Sequence, residues 1–149
     1  MTHLKAGDPA PDFTSSDQDG NSVSLKDFSG KKLVIYFYPR DNTPGCTAQA
    51  CNLRDNYQAL LTAGYEVLGV SPDSEKSHRG FKEKFKLPFR LLADPERVMA
   101  KAFDVYHPKK FMGREFMGIH RTTFVIDEKG VIESVISKVE TKQHATQIL

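Results

Sequence analysis

Apolar positions along the chain fall into short runs of strand length, separated by segments whose apolar residues have helical spacing. Residues 33–38 are consecutive apolar side chains, which is typical of a central strand covered on both faces. Residues 65–71 form a second run, and residues 91–93 form a short third one. Residues 122–126 and 131–137 are separated by a turn that ends in glycine, so they predict a hairpin.

The segment after the first strand predicts a helix that carries the first of the two cysteines. Pro39 ends the strand, Thr43 suits the N-cap, and Pro44 suits the first helical position. Gly64 is a natural residue just beyond the end of the helix. One apolar stripe is expected along it, made of Cys46, Ala50, Leu53, Tyr57 and Leu60 or Leu61. Cys46 therefore begins the buried face, at the third position of the helix.

The order of the elements indicates an α/β fold. Residues 74–86 predict a second helix with Phe81 and Phe85 on one face, and residues 95–103 predict a short third one. Alternating strands and helices followed by a hairpin favour a mixed central sheet with helices on both faces, as in the thioredoxin-like fold. We expect a short closing helix within residues 141–149. No repeat or linker divides the chain, so residues 1–149 are expected to form one domain.

Composition and charge exclude several classes of protein. The 149 residues are 39% hydrophobic and 27% charged, which is typical of a globular chain and not of a disordered or collagenous one. The net charge of +2 is too small to predict binding to nucleic acid. The longest apolar run is far shorter than the roughly 20 residues that span a bilayer. The first residues lack an apolar signal segment, so no membrane partner and a cytoplasmic location are expected.

Cys46 is the first candidate for chemistry. At the third position of a helix, unpaired backbone N–H groups and the positive end of the helix dipole favour a thiolate. Gly45 leaves room for a ligand to approach the backbone. The alternative interpretation is that Cys46 is a small, inert core residue, as many intracellular cysteines are.

Cys51 is the second candidate, and its spacing has a geometric consequence. Five helical residues rotate by about 500° and rise about 7.5 Å, which places the two Cα atoms roughly 8.7 Å apart. Disulfide-bonded cysteines have Cα atoms about 4.4 to 6.8 Å apart. If Cys46 and Cys51 react with each other, the first turns of the helix must therefore unwind. The alternative is an unreactive helix cysteine.

Other possible signals favour ordinary structural roles. The five histidines are dispersed, and a Cys-x4-Cys pair is not a usual zinc spacing, so no metal is expected. Residues 76–90 mix basic residues with phenylalanines, but glutamates interrupt the charge and an amphipathic helix explains the pattern. A cluster near residue 110 fits a pocket cover, a partner surface or plain loop packing, and it comprises Lys109, Lys110, Phe111, Met112, Phe116 and Met117.

Residues 36–55, YFYPRDNTPGCTAQACNLRD, resemble the peroxiredoxins, and specifically the bacterioferritin comigratory protein or PrxQ subfamily. Pro39, Thr43 and Cys46 have the spacing of the family's P-x-x-x-T-x-x-C motif. Arg121, in HRTTFVID, occupies the place of the family's active-site arginine. The similarity extends through KAGDPAPDFT, GVSPDSEKSHRGF and LPFRLLADPE, so it covers most of the chain.

The resemblance implies a thiol peroxidase that needs no metal and no cofactor. Cys46 is then the thiolate that attacks the peroxide and becomes a sulfenic acid. Arg121 stabilises the thiolate and the polarised peroxide, while Thr43 and the Cys46 backbone N–H hold the peroxide oxygens, and Pro39 shields the site from water. Cys51 matches the resolving cysteine that a subset of PrxQ proteins carries in the same helix.

The implied partners are a peroxide, either hydrogen peroxide or a small organic hydroperoxide, and a thioredoxin or similar dithiol as the reductant. The resemblance also favours a monomer. Two other functions fit a thioredoxin-like fold: a thiol-disulfide oxidoreductase and a redox-inert binding module. The first normally uses Cys-x-x-Cys, and the five-residue separation of the two cysteines argues against it.

One residue departs from the family pattern. Many members carry a glutamate three residues after the reactive cysteine, where this chain has Gln49. The Gln49 carbonyl can still accept a hydrogen bond from Arg121, but an uncharged acceptor binds a guanidinium less strongly than a carboxylate. The pattern therefore predicts an Arg121 that is less firmly held and a reactive thiol with less negative charge nearby.

Overall fold

The structure, a computed structural model, describes residues 1–149. Its strands are β1 (Thr14–Asp17), β2 (Ser22–Ser24), β3 (Lys32–Phe37), β4 (Tyr65–Ser71), β5 (Arg90–Ala93), β6 (Tyr106–Phe111), β7 (Arg114–Ile119), β8 (Thr122–Ile126) and β9 (Ile132–Ile136). Its α-helices are α1 (Pro44–Asp55), α2 (Tyr57–Thr62), α3 (Glu75–Phe85), α4 (Val98–Ala102) and α5 (His144–Ile148). A short 3₁₀ helix covers Leu25–Phe28. No helix has both the length and the apolar character needed to cross a membrane.

Seven strands form one mixed sheet in the order β2-β1-β5-β4-β3-β8-β9. β3 lies inside the sheet, where it pairs in parallel with β4 and antiparallel with β8. This arrangement confirms the predicted mixed sheet and the central position of the 33–38 run. β8 and β9 form the predicted terminal hairpin.

The side chains of β3 divide the core into two layers. Leu33, Ile35 and Phe37 pack on one side of the sheet with the α4 residues. Alternate residues such as Val34 and Tyr36 pack on the other side with residues of α1, α2, α3 and α5. Because successive strand residues point to opposite faces, an unbroken apolar run is what a doubly covered strand requires. Helices on both faces of the sheet are therefore confirmed.

The long helix predicted after Thr43 is two helices in the structure. α1 ends at Asp55 and α2 begins at Tyr57, with Asn56 between them at φ −110° and ψ 11°. The Asn56 side chain donates to the Asn52 carbonyl at 2.8 Å. An asparagine that bonds to the local backbone competes with the helical ladder, which apolar spacing alone does not reveal.

Two pairs of strands were not predicted. β1 and β2 are mostly polar and pair at the edge of the sheet, so they lack an apolar signal. β6 and β7 form a separate two-stranded ribbon. Its turn places Met112 and Gly113 at φ 52° and 79°, a left-handed pair that a hairpin needs but that methionine rarely adopts.

The closing helix is short, as expected, and it docks on α1. Asn52, the residue after Cys51, makes both connecting hydrogen bonds through its side chain. Its Nδ2 donates to the Lys142 carbonyl at 3.0 Å, and its Oδ1 accepts from the Ala145 backbone N–H at 2.8 Å. Ala145 and Ile148 are buried in the same core layer as the α1 stripe. The C-terminal segment is therefore tied to the helix that carries both cysteines.

Candidate active site

The site forms at the connection between the central strand, β3, and α1. β3 ends at Phe37, a loop follows, and α1 begins at Pro44 with Thr43 at the N-cap. Cys46 is the third residue of this helix, as predicted, and it is only 2% exposed. Its backbone N–H lies in the first turn, where an α-helix offers no carbonyl partner. The sequence order thus brings a thiol to the positive end of the helix.

Arg121 reaches this cysteine from the residue just before β8. Its Nη2 donates to Cys46 Sγ at 3.3 Å, although the two residues are 75 positions apart in the chain. Because β8 is the antiparallel neighbour of β3, the start of β8 lies beside the end of β3. Sheet topology, and not local sequence, therefore brings the guanidinium to the thiol.

Gln49 holds the other arm of the same guanidinium. Arg121 Nη1 donates to Gln49 Oε1 at 2.6 Å, which confirms that the amide carbonyl can replace a carboxylate as the acceptor. Gln49 is fully buried, and its Nε2 has no hydrogen-bond partner. The amide oxygen of Gln49 is thus hydrogen-bonded, whereas the amide nitrogen is not. A carboxylate at this position has no donor that could remain without a partner.

Gly45 lies against the guanidinium of Arg121, a contact that the sequence did not predict. A Cβ atom at this position would lie 3.3 Å from Arg121 Nη2, tighter than most contacts of real side chains. The absent side chain therefore makes room for the guanidinium. Gly45 therefore contributes to the contact between Arg121 and Cys46.

Thr43 occupies the predicted N-cap but does not cap the helix with its side chain. Its hydroxyl turns back and donates to the Arg40 carbonyl at 2.9 Å. The N-cap position is confirmed, but the side-chain hydrogen bond that a capping threonine usually makes is absent, because the preceding loop offers a carbonyl acceptor. With its proton committed to Arg40, the Thr43 oxygen keeps its lone pairs for another donor. Pro39 lies in the same loop and is half-buried.

Cys51 lies on the same helix and is partly exposed. Both cysteines are free thiols in this structure. Since α1 is continuous from Pro44 to Asp55, helical geometry keeps their Cα atoms roughly 8.7 Å apart. The structure therefore brings Cys46, Gln49 and Arg121 together and leaves Cys51 outside that group.

A basic cavity of about 460 Å³ opens beside Arg121. Burial lowers the pKa of Lys109 at its wall, and the nearby positive charge of Arg121 lowers it further. The cationic side chains are not offset by any carboxylate in the lining, which is formed by Met1, Lys109, His120, Arg121, Thr122, Ser137, Lys138 and Val139. The cavity thus places positively charged side chains beside the guanidinium.

The aromatic and methionine cluster near residue 110 is not packed in a loop. Phe111, Met112, Phe116 and Met117 are 48% to 86% exposed on the β6–β7 ribbon. This excludes loop packing as the reason for the cluster. Lys109, in β6 of the same ribbon, lines the cavity beside Arg121.

Asp41, Asp73 and His78 were not found from the sequence, although the structure gathers them directly behind the active-site loop. Their possible ligand atoms lie within 4.8 Å of one another. Asp41 and His78 are buried, and hydrogen bonds within the group use the carboxylates and the imidazole. An aspartate in the loop after β3 was the available signal, but His78 comes from α3 and Asp73 from the loop between β4 and α3, so these partners have no local pattern.

Comparison with known proteins places these observations in a family. Residues 6–135 match the model of the AhpC/TSA family. Peroxiredoxin Bcp of Escherichia coli (strain K12) is 47% identical over 149 residues, covering 100% of this chain and 96% of the relative. Peroxiredoxin Bcp of Bacillus subtilis (strain 168) is 45% identical over 146 residues, covering 98% of this chain and 93% of the relative.

Solved structures agree with the sequence relatives. The bacterioferritin comigratory protein of Xanthomonas campestris, solved in work on its alkyl peroxide reduction activity, superposes with a TM-score of 0.88 at 34% identity, covering 99% of this chain and 94% of that one. A mutant PrxQ of Xylella fastidiosa superposes with a TM-score of 0.92 at 31% identity, with the same coverage of 99% and 94%. These likenesses confirm the thioredoxin-like fold.

Proposed function

The chain belongs to the AhpC/TSA family and is a thiol-dependent peroxidase, and we propose that Cys46 is the residue whose thiolate attacks the peroxide. One observation carries this assignment: Arg121 Nη2 donates to Cys46 Sγ at 3.3 Å, at the N-terminal turn of α1. A guanidinium and a helix N-terminus both favour the charged form of a thiol. Cys51, farther along the helix, is 7 residues beyond the N-terminal residue Pro44 and lies outside the first turn.

In the first step, the Cys46 sulfur bonds to one peroxide oxygen and the O–O bond breaks. The leaving oxygen takes up a proton and departs as water or an alcohol, so the peroxide is reduced and Cys46 is oxidised to a sulfenic acid. Arg121 stabilises the negative charge that develops on the oxygens. The Cys46 backbone N–H donates to them, and the Thr43 oxygen accepts a hydrogen bond from the hydroperoxide O–H, because its own proton is committed to the Arg40 carbonyl. Pro39 limits the access of water.

In the second step, the Cys51 thiol attacks the sulfenic sulfur, a disulfide forms and water leaves. This step needs α1 to unwind, because roughly 8.7 Å between the Cα atoms exceeds what a disulfide spans. A thioredoxin-type dithiol then reduces the disulfide and is itself oxidised. The substrate class is hydrogen peroxide and small organic hydroperoxides, and the alkyl peroxide activity named for the X. campestris relative supports the second of these.

Three further expectations complete the proposal. The protein acts as a monomer, as a single domain covering residues 1–149, and in the cytoplasm. The continuity of the seven-stranded sheet, whose strands come from both the first and the last third of the chain, supports the single domain. The monomeric state and the location rest on the family resemblance and on the sequence.

The intact mass and free-thiol count of reduced protein after one equivalent of hydrogen peroxide test the proposal. We expect the loss of two hydrogens and of both thiols without dimerisation. Cys46→Ser should abolish turnover. Cys51→Ser should still be oxidised once, at Cys46, and then fail to recycle through an intramolecular disulfide. Full recycling by both variants, or an unchanged mass of the parent protein, would overturn the mechanism.

A further inference from the structure

A network of buried polar side chains lies directly behind the loop that leads into α1. At its centre, Asp41 Oδ2 lies 2.8 Å from His78 Nδ1, and both side chains are almost fully buried. Tyr38 donates its hydroxyl to Asp41 Oδ1 at 2.6 Å, and Ser77 donates to Asp41 Oδ2 at 2.8 Å. Both oxygens of the Asp41 carboxylate are thus hydrogen-bonded. None of these groups contacts Cys46 in the peroxide chemistry described above.

Both ring nitrogens of His78 are hydrogen-bonded. Nε2 lies 2.9 Å from the Leu92 carbonyl, which can only accept, so Nε2 donates to it. Nδ1 lies 2.8 Å from Asp41 Oδ2. Burial raises the pKa of Tyr38 well above its ordinary value, so the phenol keeps its proton and acts as a donor. A buried pair of this kind is strongly bound as long as all partners are present.

The network holds the backbone of the active-site loop as well as its side chains. The Asp41 N–H donates to Asp73 Oδ2 at 2.8 Å, and Ser71 at the end of β4 donates to the same oxygen at 2.6 Å. The chain then passes Asn42, at φ 64°, before α1 begins. Only two residues therefore separate Asp41 from the first residue of the helix, Pro44.

We propose that Asp41 and His78 are positioning residues, which fix the loop before α1 so that Cys46 is held against Arg121 and the unwinding of the helix stops at Asp41. The inference rests on the proposed roles of Cys46 and Cys51. α1 must open after each peroxide is reduced and must close again before the next. A fixed point three residues upstream of Pro44 returns the chain to the same geometry in each cycle, since β4, β5 and α3 all hold it.

The two chemical steps require opposite properties of the anchor, by which we mean the loop before α1 as Asp41 and His78 hold it. Attack on the peroxide needs Cys46 in the wound helix beside Arg121, so a loosened anchor slows it. Disulfide formation needs the helix to open, so a loosened anchor leaves it unchanged or speeds it. A purely structural role predicts no such divergence, because a folded variant measured far from its unfolding transition would show both rates unaltered.

The test compares Tyr38→Phe with Tyr57→Phe. Both substitutions remove a tyrosine hydroxyl that donates to a carboxylate at 2.6 Å, from Tyr38 to Asp41 and from Tyr57 to Glu66. Only the first touches the loop. Asp41→Asn is the stronger variant, and Ser77→Ala removes a single donor to the other oxygen should Asp41→Asn not fold. Stopped-flow measurements on reduced protein separate sulfenic acid formation from disulfide formation, and hydrogen exchange reports on residues 40–45.

For Asp41→Asn we expect sulfenic acid formation to slow by about tenfold or more, since misplacement by about 1 Å costs ~100-fold. Tyr38→Phe and Ser77→Ala should slow it severalfold, with disulfide formation not slowed and faster exchange at residues 40–45. Tyr57→Phe should change neither rate. Equal slowing of both steps, or no change in any folded variant, would overturn the inference. Failure of the parent protein to oxidise Cys46 would instead overturn the proposed function.

Discussion

The guanidinium of Arg121 is shared between two acceptors of different character. It donates to the neutral amide oxygen of Gln49 at 2.6 Å and to the sulfur of Cys46 at 3.3 Å. A carboxylate at position 49 would offset part of the positive charge that Arg121 presents to the thiolate. The glutamine keeps the orientation of Arg121 without that offset, at the cost of a buried amide nitrogen that lacks an acceptor.

Gln49→Glu tests how much this missing charge matters. The new carboxylate should bind Arg121 more firmly and, as a negative charge about one helical turn from Cys46, should disfavour the thiolate. We expect alkylation of Cys46 by iodoacetamide to need a pH higher by about one unit, equivalent to about 1.4 kcal/mol. Gln49→Met, which is uncharged and similar in size, is the control for packing. If the pH profile of Cys46 alkylation is unchanged in Gln49→Glu, the interaction of Arg121 with Cys46 does not depend on the charge at position 49.

At this scale the sequence predicted the position of Cys46 better than the contacts around it. Cys46 could be found because the signals for a helix N-terminus are local, and Arg121 because the family resemblance identified it. Thr43 is at the expected N-cap position, but the contact of its hydroxyl could not be predicted, since the acceptor, the Arg40 carbonyl, depends on the path of the loop. Asp41 and His78 were missed because their pairing joins two elements 37 residues apart.

Among the secondary-structure elements, α1 connects the chemistry to the rest of the core. Its buried face carries Cys46, Gln49, Ala50 and Leu53, so the reactive thiol and the packing residues share one stripe. The predicted strands and helices match the structure where the spacing of apolar residues determines the element. The prediction failed where polar side chains end a helix, as at Asn56, or where strands lie at an exposed edge, as in β1 and β2.

The docking of α5 should depend on pH through His144. This side chain is fully buried, with Nε2 2.7 Å from Thr123 Oγ1 and Nδ1 2.7 Å from Gln147 Oε1. Burial lowers the pKa of His144 below its ordinary value of about 6.5. As the pH falls, the unfolded chain therefore takes up this proton before the folded one. The stabilisation is present above about pH 6.5 and is lost as the pH falls through the lower folded value.

Urea unfolding at pH 7.5 and 5.5 checks this expectation. The free energy of unfolding should fall with decreasing pH, and one proton contributes at most about 1.4 kcal/mol per pH unit. His144→Gln, which cannot titrate there, should show a smaller fall over the same range. His3→Gln, which removes an exposed histidine, should not show the smaller fall in the free energy of unfolding that is expected for His144→Gln. Equal pH dependence in the parent and in His144→Gln would contradict the assignment.

The whole molecule is a doubly covered mixed sheet whose order brings distant segments to one site. The loop after β3 and the residue before β8 meet because these two strands are neighbours in the sheet. The sequence predicted the mixed sheet, and family membership established the peroxidase function over an oxidoreductase or a binding module. The β6–β7 ribbon lay outside the prediction, because its exposed apolar residues have neither a core pattern nor a usual turn signal.

The connection between Asn52 and the last helix has a consequence for the oxidised protein. If α1 unwinds to join Cys46 to Cys51, as we propose, we expect the adjacent Asn52 to move and to lose both of its hydrogen bonds to the C-terminal segment. Exposed Lys138 and Lys142 then become better sites for trypsin. We expect severalfold faster C-terminal cleavage after peroxide treatment of the parent chain, and no such change in Cys51→Ser; equal rates would contradict it. The protease sensitivity of the C-terminal segment would thus report that the protein has just reduced a peroxide.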